Sequence, residues 1–180
     1  MSVEIFTIAP PPWMQDPRPL RVFAALAKGG YESRYVGGCV RDALAGRTVT
    51  DIDIATTAPP ETAAALLRAE GIGVVPTGID HGTVTAIVER TPFEVTTLRR
   101  DIETDGRHAK VVFTDRWAED AARRDFTMNA LFASADGEVT DFFGGRADLA
   151  AGCVRFVGEP QARIAEDVLR LLRYFRFHAH

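Results

Sequence analysis

Gly37–Asp42 has the sequence GGCVRD, and a short distance after it come two aspartates, Asp51 and Asp53, separated by one isoleucine. If residues 49–55 form a strand, residues two apart point to the same face of a sheet, so both carboxylates project together. Two carboxylates side by side repel each other unless a proton or a cation lies between them. This stretch therefore predicts a glycine turn followed by a strand that carries a pair of acids.

The paired acids and the glycines predict two kinds of binding next to each other. A hard divalent ion such as Mg²⁺ is bound through one or two carboxylates together with substrate phosphates. Gly37 and Gly38 let the backbone approach a bulky anionic ligand closely and supply unhindered amides. The run has neither the three-glycine spacing of a dinucleotide fingerprint nor the Gly-Lys-Ser/Thr of a Walker loop. Either half alone is more often an ordinary turn or strand end, whereas the combination predicts adjacent metal and phosphate sites.

Composition places the chain among ordinary globular proteins. It has 180 residues, of which 46% are hydrophobic and 26% charged, enough for one domain with a proper core and the beginning of a second. The net charge of −4 gives no global basic footprint for nucleic acid, so an RNA-binding surface is expected to be local or elsewhere. Without a signal-peptide pattern or a stretch of about 18 apolar residues, we expect a cytoplasmic protein with no membrane partner.

Residue patterns along the chain predict alternating helices and strands. Residues 1–19 are rich in proline and are predicted to form an extended arm, and the charged segment 99–110 lacks apolar periodicity and is predicted to be a loop. Strands are predicted at 32–36, 50–55, 83–88, 93–98, 130–133, 139–143 and 154–157, with a hairpin joining the third and fourth. Helices are predicted at 20–27, 41–45 and 60–70, after 119, after 145, and from 161 onward.

Glu94 is the candidate for a third acidic group, which two-metal catalysis usually needs. It alternates with apolar Phe93 and Val95, so its side chain is expected on the face opposite to theirs. The alternative is an ordinary exposed strand residue.

Arg123–Ala130, with the sequence RRDFTMNA, is a second dense polar cluster. Arginine supplies fork-shaped donors for phosphates or sugar hydroxyls. Asp125 could accept a hydrogen bond from a ribose 2′-hydroxyl, a contact that separates RNA precursors from DNA precursors. The alternative is a helix C-terminus with favourable basic residues.

The last predicted helix carries a third cluster, Glu166, Asp167 and Arg170. Asp167 and Arg170 are three apart and are therefore expected on one side of the helix, where an acceptor beside a guanidinium could recognise the edge of a nucleobase. The alternative is a plain surface salt bridge between Glu166 and Arg170. The buried face of this helix is predicted to consist of Ile164, Val168, Leu171 and Phe175.

Taken together, these motifs resemble the class II (bacterial-type) CCA-adding tRNA nucleotidyltransferases and the bacterial poly(A) polymerases, both of the polymerase-β-like nucleotidyltransferase superfamily. The resemblance covers almost everything after residue 30. It rests on GGCVRD, on Gly46-Arg47 with Asp51-Ile52-Asp53, on RRDFTMNA, on Asp141–Gly145 (DFFGG), and on Glu166-Asp167 with Arg170.

The resemblance implies an α/β (more strictly α+β) fold, in which a mixed, mostly antiparallel sheet forms a nucleotidyltransferase head followed by the start of a helical neck. The head would span residues 1–158, including the arm, and the neck would begin at 159–180. Family members are longer, so the tRNA-binding body and tail are expected to be absent from this chain.

The implied activity is template-independent addition of CMP and AMP to the 3′ end of tRNA, with CTP and ATP as substrates and Mg²⁺ as cofactor. Two alternatives stay open from the sequence: a poly(A) polymerase that adds AMP to RNA 3′ ends, and a non-catalytic nucleotide-binding module.

The resemblance also implies residue roles. Asp51 and Asp53 would bind Mg²⁺, with Glu94 as the third catalytic carboxylate. Asp141 with Gly144 would act as a hinge, Glu166 would hold Arg170, and the 99–110 loop with Asp101 and Arg107 would serve terminal adenosine addition. The nucleotide-binding residues would be Gly37, Gly38, Arg41, Arg124, Asp125, Asn129, Asp167, Arg170 and Arg173.

Overall fold

The computed structural model describes residues 3–105 and 108–179, with the backbone alone described for 101–105 and 108–110. The strands in these residues are β1 (Glu4–Thr7), β2 (Ser33–Val36), β3 (Asp53–Thr56), β4 (Gly73–Gly78), β5 (Thr83–Val88), β6 (Thr91–Thr97), β7 (Arg99–Asp105), β8 (His108–Phe113), β9 (Leu131–Ala133) and β10 (Glu138–Asp141). The α-helices are α1 (Pro17–Lys28), α2 (Gly38–Leu44), α3 (Pro60–Ala69), α4 (Trp117–Ala122), α5 (Gly145–Ala150), α6 (Pro160–Glu166) and α7 (Leu169–His178). Short 3₁₀ turns occupy Pro12–Gln15, Ile79–His81 and Thr127–Asn129.

In the described part of the chain, eight strands form one sheet in the order β1-β10-β9-β2-β3-β6-β5-β4, and β7 pairs with β8 separately. The described strand pairs are antiparallel except β3 with β6, which run parallel. The predicted hairpin is present, because β5 and β6 are joined at Glu89 and Arg90, whose positive φ angles of 50° and 66° suit a two-residue hairpin turn. The predicted α/β fold with a mixed, mostly antiparallel sheet is confirmed.

Alternate residues of the central strands supply two apolar clusters on opposite faces of the sheet. Tyr35 and Ile54 pack in the first cluster, against α1 and α3, whereas their neighbours Val36 and Ala55 pack in the second, beside α4. Helix α1 begins where the Asp16 side chain accepts the Arg18 backbone N–H at 2.8 Å. A third cluster around Phe126 holds α7 to the sheet domain.

The prediction of an extended arm over residues 1–19 is wrong. Glu4–Thr7 pairs antiparallel with β10, where Glu4 faces Asp141, so this segment is an edge strand of the main sheet. Pro17 and Pro19 lie at the start of α1, where the missing N–H groups have no intrahelical partner to lose. The strand partner lies far along the chain, so local composition could not reveal it.

The prediction of a loop over 99–110 is also wrong, because β7 and β8 form an antiparallel pair from Arg99 opposite Phe113 to Asp105 opposite His108. A two-stranded ribbon outside the main sheet does not need one buried face, so apolar periodicity is a poor signal for it. The side chain of Asp101 and all of Arg107 lie outside the described residues.

Two predictions near the C-terminal end need correction. The strand at 154–157 is reduced to an isolated bridge between Phe126 and Phe156. The single final helix is two helices, because Asp167 has extended backbone angles (φ −153°, ψ 105°) and ends α6.

The break at Asp167 also changes the buried face of the last helix. Ile164 packs against the third cluster, but Val168, Leu171 and Phe175 are exposed, and Tyr174 and Phe177 pack against Phe126 instead. A single helical period does not run through a break in the helix, so residues on either side of it need not share a face. No helix in residues 3–105 and 108–179 is long and apolar enough to cross a membrane.

Leu67 and Leu172 give a matched test of this division between buried and exposed helix faces. Leu67 in α3 is fully buried, whereas Leu172 in α7 is 66% exposed. We expect Leu67→Ala to lower the free energy of unfolding by about 2–5 kcal/mol, because it opens a cavity in the core. Leu172→Ala should change it by no more than about 0.5 kcal/mol. Urea unfolding of both variants decides the point, and equal losses would contradict the described packing of α7.

Candidate nucleotide-binding site

A cavity of about 300 Å³ lies beside the glycine turn. It brings together residues from α2, from the segment leading into β3, from the region around the Thr127–Asn129 turn, and from α7. The cavity is lined by most of the residues predicted for nucleotide binding and by both aspartates of the first motif. The full lining is Gly37, Gly38, Arg41, Asp42, Thr50, Asp51, Asp53, Arg124, Asp125, Asn129, Arg173, Arg176 and Phe177.

Gly37 makes the turn from β2 into α2. Its φ of +72° belongs to the region that L side chains rarely adopt, and a Cβ there would lie 3.4 Å from Nη1 of Arg124. The Gly37 N–H donates to the carbonyl of Leu131 at 3.2 Å, which ties the turn to β9. A glycine is therefore required here for both backbone conformation and close approach.

The two aspartates of the first motif reach the cavity by a different local structure from the one predicted. Asp53 is the first residue of β3, and Asp51 precedes the strand instead of lying within it. Both side chains nevertheless line the same cavity. The strand begins three residues later than the predicted 50–55, so the two carboxylates share a cavity and not one face of a strand.

Glu94 lies directly opposite Asp53 in the parallel register of β3 and β6. Its neighbours Phe93 and Val95 are buried in the first cluster, so the predicted alternation is confirmed. Glu94, Asp51 and Asp53 line a second cavity of about 700 Å³, which shares Thr50 and the two aspartates with the first cavity. The remaining lining residues of this second cavity are Ile52, Thr85, Thr91, Pro92 and Phe93.

The pKa of Asp53 is raised above its ordinary value of 3.8, chiefly because burial disfavours the charged form. The negative charges of Glu94 and Asp51 raise this pKa further, whereas the Arg124 guanidinium opposes the rise. Among the side chains that the structure describes, no three acidic, histidine or cysteine groups converge as one metal-binding cluster. Two carboxylates are nevertheless a sufficient protein contribution for Mg²⁺ when substrate phosphates and water complete its shell, so the residues fit that ion.

A chain of hydrogen bonds links four residues that line the first cavity. Arg41 donates to the Asn129 side-chain oxygen at 2.7 Å, and Asn129 donates to Asp125 Oδ1 at 3.1 Å. Asp125 Oδ2 accepts from Nε of Arg173 at 2.7 Å. Three separate elements therefore hold their polar side chains through one another, which fixes their orientation before any ligand binds.

Helix α7 contributes two lining residues that were not among the predicted binding residues. The Phe177 ring lies 4.9 Å from the Arg41 guanidinium and 5.0 Å from that of Arg176, and both Phe177 and Arg176 line the cavity. Such distances fit cation–π contacts. The spacing of Arg173 and Phe177, four residues apart on a helix, is the sequence signal that could have pointed to Phe177.

Asp167 and Arg170 do not line either of these two cavities. Asp167 lies before α7 and accepts the backbone N–H of Leu169 at 2.9 Å, so Asp167 and Arg170 do not share a face of one helix as predicted. Arg170 donates to Glu166 Oε2 at 2.7 Å, the contact expected if Glu166 holds Arg170.

The buried side chain of Asp141 accepts four backbone N–H groups, from residues 143–146, at 2.9–3.0 Å. These bonds organise the turn between β10 and α5. A hinge role for Asp141 and Gly144 stays a prediction.

The raised pKa of Asp53 predicts a pH-dependent effect of Asp53→Asn on stability. The folded chain keeps the proton over a pH range in which the unfolded chain has lost it, so stability falls as the pH rises from below 3.8 through the raised pKa. In metal-free buffer at pH 7, Asp53→Asn should therefore melt at a higher temperature than the wild type. The gain should vanish well below pH 3.8.

Melting curves measured from pH 3 to pH 8 with a chelator present test this effect, with exposed Asp80→Asn as the matched control. A lower melting temperature for Asp53→Asn at pH 7 would contradict the described electrostatics.

Comparison with known proteins identifies the family. A family model described as the poly A polymerase head domain matches residues 33–155. The mouse (Mus musculus) protein named CCA tRNA nucleotidyltransferase 1, mitochondrial, is 50% identical over 153 residues, which cover 84% of this chain and 35% of the relative.

Solved structures agree with this assignment. The Bacillus stearothermophilus CCA-adding enzyme in complex with CTP superposes with a TM-score of 0.81 at 38% identity, covering 89% of this chain and 38% of that one. A tRNA nucleotidyltransferase complexed with a primer tRNA and an incoming ATP analog gives a TM-score of 0.70 at 32% identity, covering 87% of this chain and 44% of that one. The chain thus spans less than half the length of each of these relatives. With most of its length matched, it belongs to the poly A polymerase head-domain family, among the relatives of the CCA-adding tRNA nucleotidyltransferases.

Proposed function

We propose that this chain is the nucleotide-binding head of a Mg²⁺-dependent nucleotidyltransferase that adds CMP and AMP to the 3′ end of tRNA. The observation that carries the proposal is the pair of cavities that share Asp51 and Asp53. One cavity is rich in arginine and glycine, and the other has acids and hydroxyls and no basic side chain in its lining. Two unlike substrates can therefore meet at one pair of carboxylates.

The arginine-rich cavity suits the incoming CTP or ATP. Gly37 leaves the backbone open to close approach by phosphate, and Arg41, Arg124 and Arg173 surround the space with guanidinium groups. Arginine presents several N–H donors in a planar fork, which matches phosphate oxygens. Asp125 accepts from Arg173 at 2.7 Å, also lines this cavity, and is proposed to recognise the ribose hydroxyls.

Asp51 and Asp53 would hold Mg²⁺, which when bound stabilises the negative charge that develops on the phosphates. The negative charges of Asp51 and Asp53 repel each other, and this repulsion favours a cation between the two carboxylates. Glu94 is the proposed third carboxylate and lies on the side of the second cavity.

The second cavity is the proposed entry for the RNA 3′ end. In an in-line displacement the attacking hydroxyl approaches the α-phosphorus from the side opposite to the leaving pyrophosphate. With the triphosphate along Arg41 and Arg124, the hydroxyl would approach from the second cavity, which meets the first at Asp51 and Asp53. The oxygen of the 3′-hydroxyl forms the new bond to the α-phosphorus, its proton leaves toward the carboxylates, and the bond to pyrophosphate breaks.

Recognition of the base is assigned to Asp167 and Arg170, in line with the family resemblance. Glu166 Oε2 and the backbone carbonyls of Arg163 and Arg123 accept from the guanidinium of Arg170, so its direction is restricted. The mouse relative is named for tRNA, and related structures hold CTP or an ATP analog with a primer tRNA, which supports tRNA, CTP and ATP as the substrates.

The metal assignment is tested by nucleotide binding to the 180-residue chain. We expect CTP to bind at least about tenfold more tightly with Mg²⁺ than with a chelator, and Asp51→Asn and Asp53→Asn to lose that difference, because each removes half of the charge that holds the ion. Titration calorimetry measures both affinities. Asp80→Asn, on an exposed surface, should behave as the wild type. Unchanged Mg²⁺ dependence in both Asp variants would contradict the assignment.

The activity is tested with Mg²⁺, CTP, ATP and a tRNA transcript that ends at the nucleotide before CCA. Growth that stops after three additions, resolved to single nucleotides on a gel, supports CCA addition. A long ladder that needs ATP alone would establish a poly(A) polymerase instead. Binding of CTP and ATP without Mg²⁺ dependence and without extension would favour the non-catalytic nucleotide-binding module.

A further inference from the structure

Asp120 is a buried carboxylate outside both cavities, and its contacts lead into the nucleotide site. It lies in α4 with only 1% of its surface exposed. Its two oxygens accept from the side chains of Arg123 and Arg124 and from the backbone N–H of Arg99. Arg123 and Arg124 follow Asp120 closely in the chain, whereas Arg99 comes from β7, and of the three Arg124 lines the first cavity.

The contact with Arg124 fixes the direction of a cavity-lining guanidinium. Nε and Nη2 of Arg124 donate to Asp120 Oδ2 at 3.1 and 2.8 Å, and the Phe132 ring lies 5.3 Å from the guanidinium carbon. Because the guanidinium is planar, holding two of its nitrogens also sets the third. That third nitrogen, Nη1, points toward Gly37, since it would lie 3.4 Å from a Cβ at this glycine.

The contact with Arg123 leads toward Arg170. Arg123 donates from Nε to Asp120 Oδ1 at 2.8 Å, just after the end of α4. The backbone carbonyl of Arg123 accepts from Nη2 of Arg170 at 3.3 Å. The carboxyl group of Asp120 therefore contacts Arg124 directly and is linked to Arg170 through Arg123.

Asp120 is charged in spite of its burial. Desolvation alone would raise its pKa, but the positive charges of Arg124 and Arg123 hold the pKa below its usual value. A buried ion pair of this kind is weak evidence for a role in stability, because hydrophobic replacements often do as well. The contact of Asp120 with Arg124, which lines the first cavity, is therefore the more informative observation.

We propose that Asp120 is a positioning residue for nucleotide binding, which orients Arg124 toward the phosphates at the Gly37 turn. The inference rests on the proposed function, because it takes the ligand of the first cavity to be a nucleoside triphosphate.

The test is a double-mutant cycle on the equilibrium affinity for CTP with Mg²⁺, measured by calorimetry on the 180-residue chain. Asp120→Asn should weaken CTP binding roughly tenfold, which is the scale of losing one charge-assisted hydrogen bond to phosphate. Arg124→Gln should weaken binding by at least as much. The double variant should be no weaker than Arg124→Gln alone, because Asp120 acts through Arg124.

Glu119→Gln is the matched control on the same helix. Glu119 forms an ion pair with Arg116 and lines neither the first nor the second cavity. Its CTP affinity should equal that of the wild type.

Loss of the buried charge could unfold the Asn variant, so Asp120→Glu serves as a second variant that keeps the charge and moves it by one methylene. It should remain folded and weaken CTP binding by roughly threefold, again with no further loss when combined with Arg124→Gln. Additive losses in either cycle, or wild-type affinity in Asp120→Glu, would overturn the inference. If the wild-type chain itself fails to bind CTP, the proposed function fails first and this inference falls with it.

Discussion

The parallel pairing of β3 with β6 is the contact on which the candidate site depends. It sets Asp53 opposite Glu94 near the middle of the sheet, and these two residues line the second cavity. A parallel pair needs a crossover connection, which α3, β4 and β5 supply here, and α3 then packs against α1 in the first apolar cluster. The burial of that cluster therefore stabilises the same register that brings the acids together.

Charge is divided between the two cavities in a way that the net charge of −4 does not show. Burial raises the pKa of Asp53 and the charges of Glu94 and Asp51 raise it further, while three arginines that line the first cavity are each paired with an acid. Arg41 is paired with Asp42, Arg124 with Asp120 and Arg173 with Asp125. These pairs reduce the local excess of positive charge, so their main effect is to orient guanidinium groups in advance.

Helix α7 connects the third apolar cluster with the first cavity. Tyr174 and Phe177 pack around Phe126 and Phe156, and this packing places Arg173 and Arg176 along the cavity wall. The other side of the helix leaves large apolar side chains exposed, Phe175 among them. The break at Asp167 determines which face of α7 is buried, because the helical period of α6 does not continue into α7.

The sequence by itself determined the features that depend on local periodicity and on residue chemistry. The alternation around Glu94, the α3 helix after the prolines, the hairpin of β5 and β6, and the glycine turn at Gly37 were all predictable, because each follows from a period of two or 3.6 or from a backbone angle that only glycine tolerates well. The motifs also pointed to the residues that gather at the cavity, since carboxylates and arginines at such spacings serve few purposes.

The tertiary structure alone decided the rest. It placed β1 at the sheet edge through a partner far along the chain, divided the last helix at Asp167, and directed Asp120 toward two arginines. Pairing between distant segments and the direction of a buried side chain arise from the packing of the whole domain. No local pattern records them, because their free energy comes from contacts that exist only once the sheet and helices have assembled.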